Sequence, residues 1–348
     1  MTRAPLRVAI LGAGTVGREV ARALLDRPEE LTAADGAPLE LVGIAVRDVA
    51  RARAAGFPGD IVSDAPAHLV AAADTDVIVE LMGGDEPAQT LIAAALSAGK
   101  AVVTANKHVI AHHGSELETV ARRSGASLRF EAAVGGGTPV LGPLATELAA
   151  NRVSEIRGIV NGTTNYILTA MTDEGRDYDD VVAAAQAAGY AEADPSGDVE
   201  GHDAANKLVI LARLAFGVWI DPAAVSLIAL DGPGAGRPGI TGIGAADIAA
   251  AAATGHVIKL LAAARAGTDD GVVASVLATP VPADSPLGRT AGVLNRIEID
   301  AEPVGTVAFS GPGAGGAATS SAVLGDLIAV ARELGSTWAG LPPARAGR

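Results

Sequence analysis

The strongest constraint on this chain is a junction near its start. Leu6–Leu11 (LRVAIL) is a short apolar run, read as a buried strand. It enters Gly12-Ala13-Gly14-Thr15-Val16-Gly17 without a spacer, and the helical pattern REVARALLD follows. In a chain with 43 glycines such a pattern alone says little. Set between a strand and a helix, it specifies a parallel α/β sheet whose first turn receives the phosphates of a dinucleotide. Gly12 permits the tight turn, Gly14 lets a pyrophosphate approach the backbone, and Gly17 lets helix meet strand. Thr15 and Val16 open the helix, whose amino terminus presents partial positive charge to the phosphates.

The next segments extend that sheet. LELVGIAV (Leu39–Val46) reads as a second strand ending at Arg47-Asp48. An acid at this strand end favours NAD, whereas an arginine accepts the extra phosphate of NADP. Both are present; Arg47 comes first, so the reading leans to NADP(H), with NAD(H) use also compatible. DVIVELMGG (Asp76–Gly84) and KAVVTANK (Lys100–Lys107) are further strands flanking a helix over 87–98. Ligands lie off the carboxyl ends of such strands, which directs Thr104, Asn106 and Lys107 to the nicotinamide end of the cofactor. SLRFEAAV (Ser127–Val134) is predicted as another strand, leaving through Gly135-Gly136-Gly137-Thr138-Pro139.

Composition narrows the function classes. With 348 residues, two domains are expected. A net charge of -14 argues against nucleic acid or an anionic membrane as partner. The absence of cysteine removes disulfides, thiolate metal sites and thiol-based aldehyde chemistry. Apolar runs are short or carry Arg213, His256 or Lys259, so none reads as a membrane span. The opening lacks the apolar core of a signal peptide, and a cytoplasmic location is expected.

A second feature lies at Gly189–Lys207, GYAEADPSGDVEGHDAANK. It holds five carboxylates (Glu192, Asp194, Asp198, Glu200, Asp203) and one cation, Lys207. Asp203 and Lys207 stand four apart on a helix and share a face. Acids crowded near one lysine suit a site that holds a small cationic amine and moves a proton, and lysine can supply both a positioned charge and that proton. Lys207 is the expected proton donor, with Asp203 holding it and Lys107 nearer the nicotinamide; the two lysines' roles are interchangeable at this level. The histidines are read as structural, His202 as at most a tuner of the site.

The blocks GAGTVG, TANKHVIA, EAAVGGGTPV, GIVNGTTNYILTAM, GYAEADPSGDVEGHDAANK and GPGAGGAATSSAV together resemble homoserine dehydrogenases, in order and over nearly the whole length. The resemblance implies reversible NADPH- or NADH-dependent reduction of aspartate 4-semialdehyde to homoserine, on the route to threonine and methionine. It implies Lys107 and Lys207 as the active-site lysines, with Asp203 beside the reacting end. Glu192 corresponds to the carboxylate that binds the substrate amino group; Asp198, Tyr190 and Thr163 line the same site. A monovalent cation, Na+ or K+, corresponds to Glu131, Val134, Gly136 and Thr138, mostly through backbone oxygens. A homodimer is implied as well. A regulatory ACT domain, common in relatives, is not expected, nor is threonine feedback through one. The sequence departs from the family at the Gly/Pro-rich SLIALDGPGAGRPGITGI and at Ser285, where relatives carry histidine. Two rivals stand beside this reading: another NAD(P)-linked oxidoreductase of a small amino acid or semialdehyde, and a non-catalytic NAD(P)-binding sensor.

The expected architecture is α/β: a Rossmann domain over residues 1–134, and an α+β catalytic domain with a mixed sheet over 151–305. Residues 135–150 and 306–340 are assigned to a dimerisation region and the return to the first domain.

Overall fold

A computed structural model describes residues 3–32, 36–267 and 271–346. The chain forms two units, Met1–Thr146 with Ala314–Pro343, and Glu147–Gly313 with Ala344–Arg348. These boundaries put 135–146 in unit 1 and 306–313 in unit 2, where the sequence suggested a separate region for both.

Unit 1 opens with β1 (Leu6–Leu11), α1 (Thr15–Asp26), β2 (Leu39–Ala45), α2 (Val49–Ala54), β3 (Val62–Ser63), α3 (Pro66–Ala71), β4 (Val77–Glu80), α4 (Ala88–Ser97), β5 (Ala101–Thr104), α5 (Lys107–Ser124), β6 (Leu128–Arg129) and α6 (Leu141–Ala145). The six strands pair in parallel in the order β3-β2-β1-β4-β5-β6. Strand order reverses at β1, which marks the crevice where a dinucleotide binds in this topology. Val8, Ile10, Val77, Val79 and Val103 are fully buried, as strands covered on both faces must be.

β6 is shorter than the strand expected over Ser127–Val134, and a 3-10 turn occupies Glu131–Ala133. Its backbone N–H groups find side chains instead of a neighbouring strand. Leu128 N donates to Ser336 Oγ at 3.1 Å, Phe130 N to Thr337 Oγ1 at 3.0 Å and Glu131 N to Asp326 Oδ2 at 2.8 Å. Covering an open sheet edge in this way ends strand pairing there.

Unit 2 begins with β7 (Arg152–Ile159), α7 (Gly162–Glu174), α8 (Tyr178–Ala187), α9 (Ser196–Val199), α10 (His202–Phe216) and β8 (Val218–Trp219). After the Gly/Pro-rich stretch come α11 (Ala245–Ala253), β9 (His256–Ala266), β10 (Val272–Pro282), β11 (Leu294–Glu302) and β12 (Gly305–Pro312). The five long strands run in the order β10-β9-β7-β11-β12. All their pairings are antiparallel, a correction to the mixed sheet expected. Parallel pairing on this sheet is confined to isolated bridges from the Gly/Pro-rich stretch to β10, Ser226 with Ser275 and Gly239 with Leu277. The sheet buries one face: along β10, Ala274, Val276 and Ala278 are buried and their neighbours are not.

The chain then returns to unit 1 through α12 (Gly316–Ala331), before β13 (Arg345–Ala346) pairs with β8 in unit 2. Val323, Leu324, Leu327 and Val330 of α12 join Val8, Ile10, Val20 and Leu24 in one core. The last helix thus completes one layer of the Rossmann unit.

Candidate active site

The turn after β1 is shaped by contacts that exclude side chains. Gly12 has φ +99°, and a Cβ there would lie 2.6 Å from the Leu81 carbonyl oxygen. A Cβ at Gly17 would collide with the Gly12 carbonyl oxygen. Gly14 differs: a Cβ would meet nothing within 4 Å, and the residue is exposed at the N-cap of α1. No side chain caps this helix. Bare N–H groups and an open approach suit a pyrophosphate. At the end of β2, Asp48 accepts from Arg51 N at 2.9 Å and so caps α2. Arg47 is exposed and has no hydrogen bond or ion pair among the described residues.

A buried polar network joins the carboxyl ends of β4 and β5. Glu80, fully buried, accepts from Thr104 Oγ1 at 2.6 Å, Met82 N at 2.8 Å and Gly83 N at 3.3 Å. Burial raises the Glu80 carboxyl above its usual range, and these donors oppose the rise. Asn106 N donates to Thr104 Oγ1 at 2.9 Å, while Asn106 Nδ2 reaches Gly84 O at 2.8 Å and its Oδ1 caps α5 by accepting from Val109 N at 3.2 Å. Lys107, the first residue of α5, is half-buried directly beyond this network.

In unit 2 the β7–α7 junction anchors the charged groups. Asn161 caps α7 through Oδ1, which accepts from Thr164 N and Thr164 Oγ1, both at 2.9 Å. That leaves Nδ2 to donate to Asp198 Oδ1 at 2.7 Å and Asp203 Oδ2 at 2.9 Å. One amide holds both carboxylates. Lys207, 9% exposed, donates to Asp203 Oδ2 at 2.6 Å and to Val160 O at 2.7 Å. An ammonium has three N–H groups, and the third has no partner among the described residues. Burial pushes the Asp198 carboxyl up; Asn161 opposes this, the Asp203 charge adds to it, and Lys207 and the Thr163 hydroxyl oppose it further.

Two family models match this chain. The homoserine dehydrogenase NAD binding domain covers residues 12–131, and the homoserine dehydrogenase domain covers residues 139–328. The chain belongs to the homoserine dehydrogenase family. It is 44% identical over 352 aligned residues to homoserine dehydrogenase of Corynebacterium glutamicum, covering 98% of this chain and 77% of that protein. The homoserine dehydrogenase structure from Thiobacillus denitrificans superposes with a TM-score of 0.90 at 36% identity, covering 98% of this chain and 79% of that one. A hyperthermophilic archaeal homoserine dehydrogenase in complex with NADPH gives a TM-score of 0.74 at 28% identity, covering 93% and 97%. As a homoserine dehydrogenase, the chain is an NAD(P)-dependent oxidoreductase acting on a CH–OH group. It interconverts aspartate 4-semialdehyde and homoserine in amino-acid biosynthesis. Among the described residues, no helix is long and apolar enough to cross a membrane.

Against this homoserine dehydrogenase framework, the expected residues fall into groups. Asp198, Asp203 and Lys207 are brought together around Asn161. Thr163 Oγ1 donates to Tyr190 O at 2.7 Å, and the Tyr190 ring lies against Tyr166 with centroids 4.9 Å apart. Glu192 is exposed, and its carboxylate makes no hydrogen bond or ion pair among the described residues. Asp194 accepts from Ser196 N at 3.1 Å and serves its own turn, while Glu200 pairs with His202 at 3.3 Å on the surface. Of the cation set, the Glu131 carboxylate accepts from Val140, Leu141 and Gly142 N at 2.7–2.9 Å. Thr138 Oγ1 is buried with no hydrogen-bond partner among the described residues, and Val134 and Gly136 lie in the same turn.

Sequence reasoning missed three features. Asn161 carried a usable signal, because asparagine at a strand-to-helix junction is a favoured cap. Glu80 is a carboxylate ending an otherwise apolar strand, which calls for buried partners. His108 and His112, four apart on α5, stack with ring centroids 4.2 Å apart, a spacing passed over in the sequence. Burial lowers the His108 pKa, and His112 adds to the effect.

Proposed function

We propose that this homoserine dehydrogenase uses Lys207 as its proton carrier and prefers NADP(H). The observation that carries the first part is the buried ammonium with two N–H groups engaged and one remaining. In the reducing direction, Lys207 directs that N–H to the aldehyde oxygen of aspartate 4-semialdehyde and gives it the proton as charge develops. Asp203 holds the ammonium from one side and the Val160 carbonyl from the other. The Asn161 amide donates to both Asp198 and Asp203 and so fixes the two carboxylates beside the ammonium. In the oxidising direction the neutral amine of Lys207 takes the homoserine hydroxyl proton. The cofactor, when bound, supplies or accepts the hydride. Gly12, Gly14, Thr15, Val16 and Gly17 hold its phosphates, with Thr104 and Lys107 toward the nicotinamide; Lys107 adds a second positive charge for the substrate.

Glu192, with its carboxylate uncommitted, binds the substrate ammonium, and Asp198, Tyr190 and Thr163 complete the substrate site. The preference for NADP(H) is supported by Arg47, which has no internal partner, and by Asp48, whose carboxylate is already a helix cap. The archaeal relative is a complex with NADPH, so the family's dinucleotide site can hold the phosphorylated form. A monovalent cation is held by backbone oxygens of Glu131, Val134, Gly136 and Thr138, with the unpartnered Thr138 hydroxyl beside them. The protein acts as a cytoplasmic homodimer. The decisive assay incubates purified protein with homoserine and NADP⁺ or NAD⁺ at alkaline pH and follows reduced cofactor. Folded protein that turns over neither pair overturns the proposal; faster turnover with NAD⁺ overturns the cofactor preference alone.

A further inference from the structure

Asn295 lies on β11 at 1% exposure, and its amide orientation is determined by its neighbours. Nδ2 donates to Val160 O at 3.2 Å, the oxygen that also accepts from Lys207 Nζ at 2.7 Å. The opposite orientation would set two oxygens against each other. Oδ1 is therefore buried, with no hydrogen-bond partner among the described residues. A Cβ at Gly313 would collide with this amide, so backbone clamps it in place. Ser310 Oγ donates to Asn295 O at 3.0 Å and ties β12 to the same point. A residue kept for packing alone would be better as leucine or valine, which orphan no acceptor.

We infer that Asn295 is a positioning residue for Lys207, acting through the Val160 carbonyl. It keeps that peptide from turning and so sets the direction of the ammonium and the aim of its third N–H. The inference rests on Lys207 as proton carrier. Among the described residues, Asp203 on its own helix and Asp198 on α9 act on Lys207, and the side-chain hydrogen bond of Asn295 goes to Val160 O and to neither acid. Without Asn295 the Val160 carbonyl loses its second donor and can turn toward the ammonium alone, which changes the direction in which Lys207 Nζ is held.

The test compares Asn295→Ala and the isosteric Asn295→Asp with wild type in homoserine oxidation across pH. In Asn295→Ala, kcat should fall ~10–100-fold, as for a small misplacement of a reacting group, with KM for homoserine and NADP⁺ within about threefold. The rising limb of the kcat–pH profile should move to higher pH, further still in Asn295→Asp because of its added negative charge. A limb that stays at the wild-type position in Asn295→Ala overturns the inference even if kcat falls, since loose packing lowers kcat without moving that limb. If Asn295→Ala does not fold, Asn295→Ser takes its place. Lys207→Met measured alongside separates the two levels. Near wild-type turnover there removes the assignment of Lys207 itself, whereas an inactive Lys207→Met with an unmoved Asn295→Ala limb removes only this inference.

Discussion

Replacing Lys207 with methionine keeps an unbranched side chain on α10 but removes the ammonium. Two acceptors lose a donor, yet neither is orphaned. Asp203 Oδ2 keeps Asn161 Nδ2 at 2.9 Å, and Val160 O keeps Asn295 Nδ2 at 3.2 Å. The stability loss should therefore fall below the ~3–5 kcal/mol of stranding a buried charge, nearer the ~2 kcal/mol of one charged hydrogen bond. Catalysis should suffer more. Removing a general acid–base group costs ~10²–10⁴ in rate, and the same group stabilises charge on the reacting oxygen, so kcat should fall ~10³–10⁴-fold, or about 4–5 kcal/mol. Substrate and cofactor recognition rest on other residues, so KM for homoserine and Kd for NADPH should stay within about threefold. The assay is homoserine oxidation at alkaline pH, read by absorbance of reduced cofactor, with thermal unfolding and NADPH titration on the same sample. A folded variant within tenfold of wild-type kcat would refute the reasoning and move the proton to Lys107.

Three further perturbations address separate parts of the molecule. Gly14→Ala adds a methyl group at φ −72° into open space, so the melting temperature should stay within about 2 °C. Affinity for both dinucleotides should nevertheless fall by ~10-fold or more, because the methyl stands where the pyrophosphate approaches; unchanged binding argues against that placement. Arg47→Ala should raise KM for NADP(H) ~10–100-fold, the worth of a charged hydrogen bond, and leave NADH little changed; equal loss for both rules out phosphate reading by Arg47. Lys259, 3% exposed, donates to Asn165 Oδ1 at 3.0 Å and Thr290 O at 2.7 Å, and burial lowers it from the ordinary 10.5 to about 8. Between those values the unfolded chain holds a proton that the folded protein has lost, so stability rises with pH across the window. Urea unfolding should show wild type gaining ~3 kcal/mol on Lys259→Met from pH 7 to 10.5, and a flat difference would contradict it.

The Rossmann unit was legible because its signals are local. A strand that must be buried on both faces is apolar throughout, and Gly17 is required by the Gly12 carbonyl five residues back, while Gly12 is required by Leu81, just past the neighbouring strand β4. Asp203 and Lys207 were readable as a pair for the same reason, since helix geometry alone puts them on one face. β6 was overestimated because its apolar pattern does not reveal that Ser336, Thr337 and Asp326 occupy its open edge. The second sheet's antiparallel pairing was equally hidden, because strand direction follows from connections that residue patterns do not record.

What the sequence by itself determined is the set of candidate groups and the elements that carry them: a glycine turn suited to phosphates, Lys107 after its strand, and acids leading to Lys207. Only the tertiary structure decided which buried groups meet. Asp198 lies 37 residues from Asn161, and Asn295 lies 135 residues from Val160. A hydrogen bond needs its partners within about 3 Å, so such contacts depend on how β7, α7, α9, α10 and β11 come together. Periodicity assigns a residue to a face, and packing then determines which buried polar atoms share a donor and which remain without one.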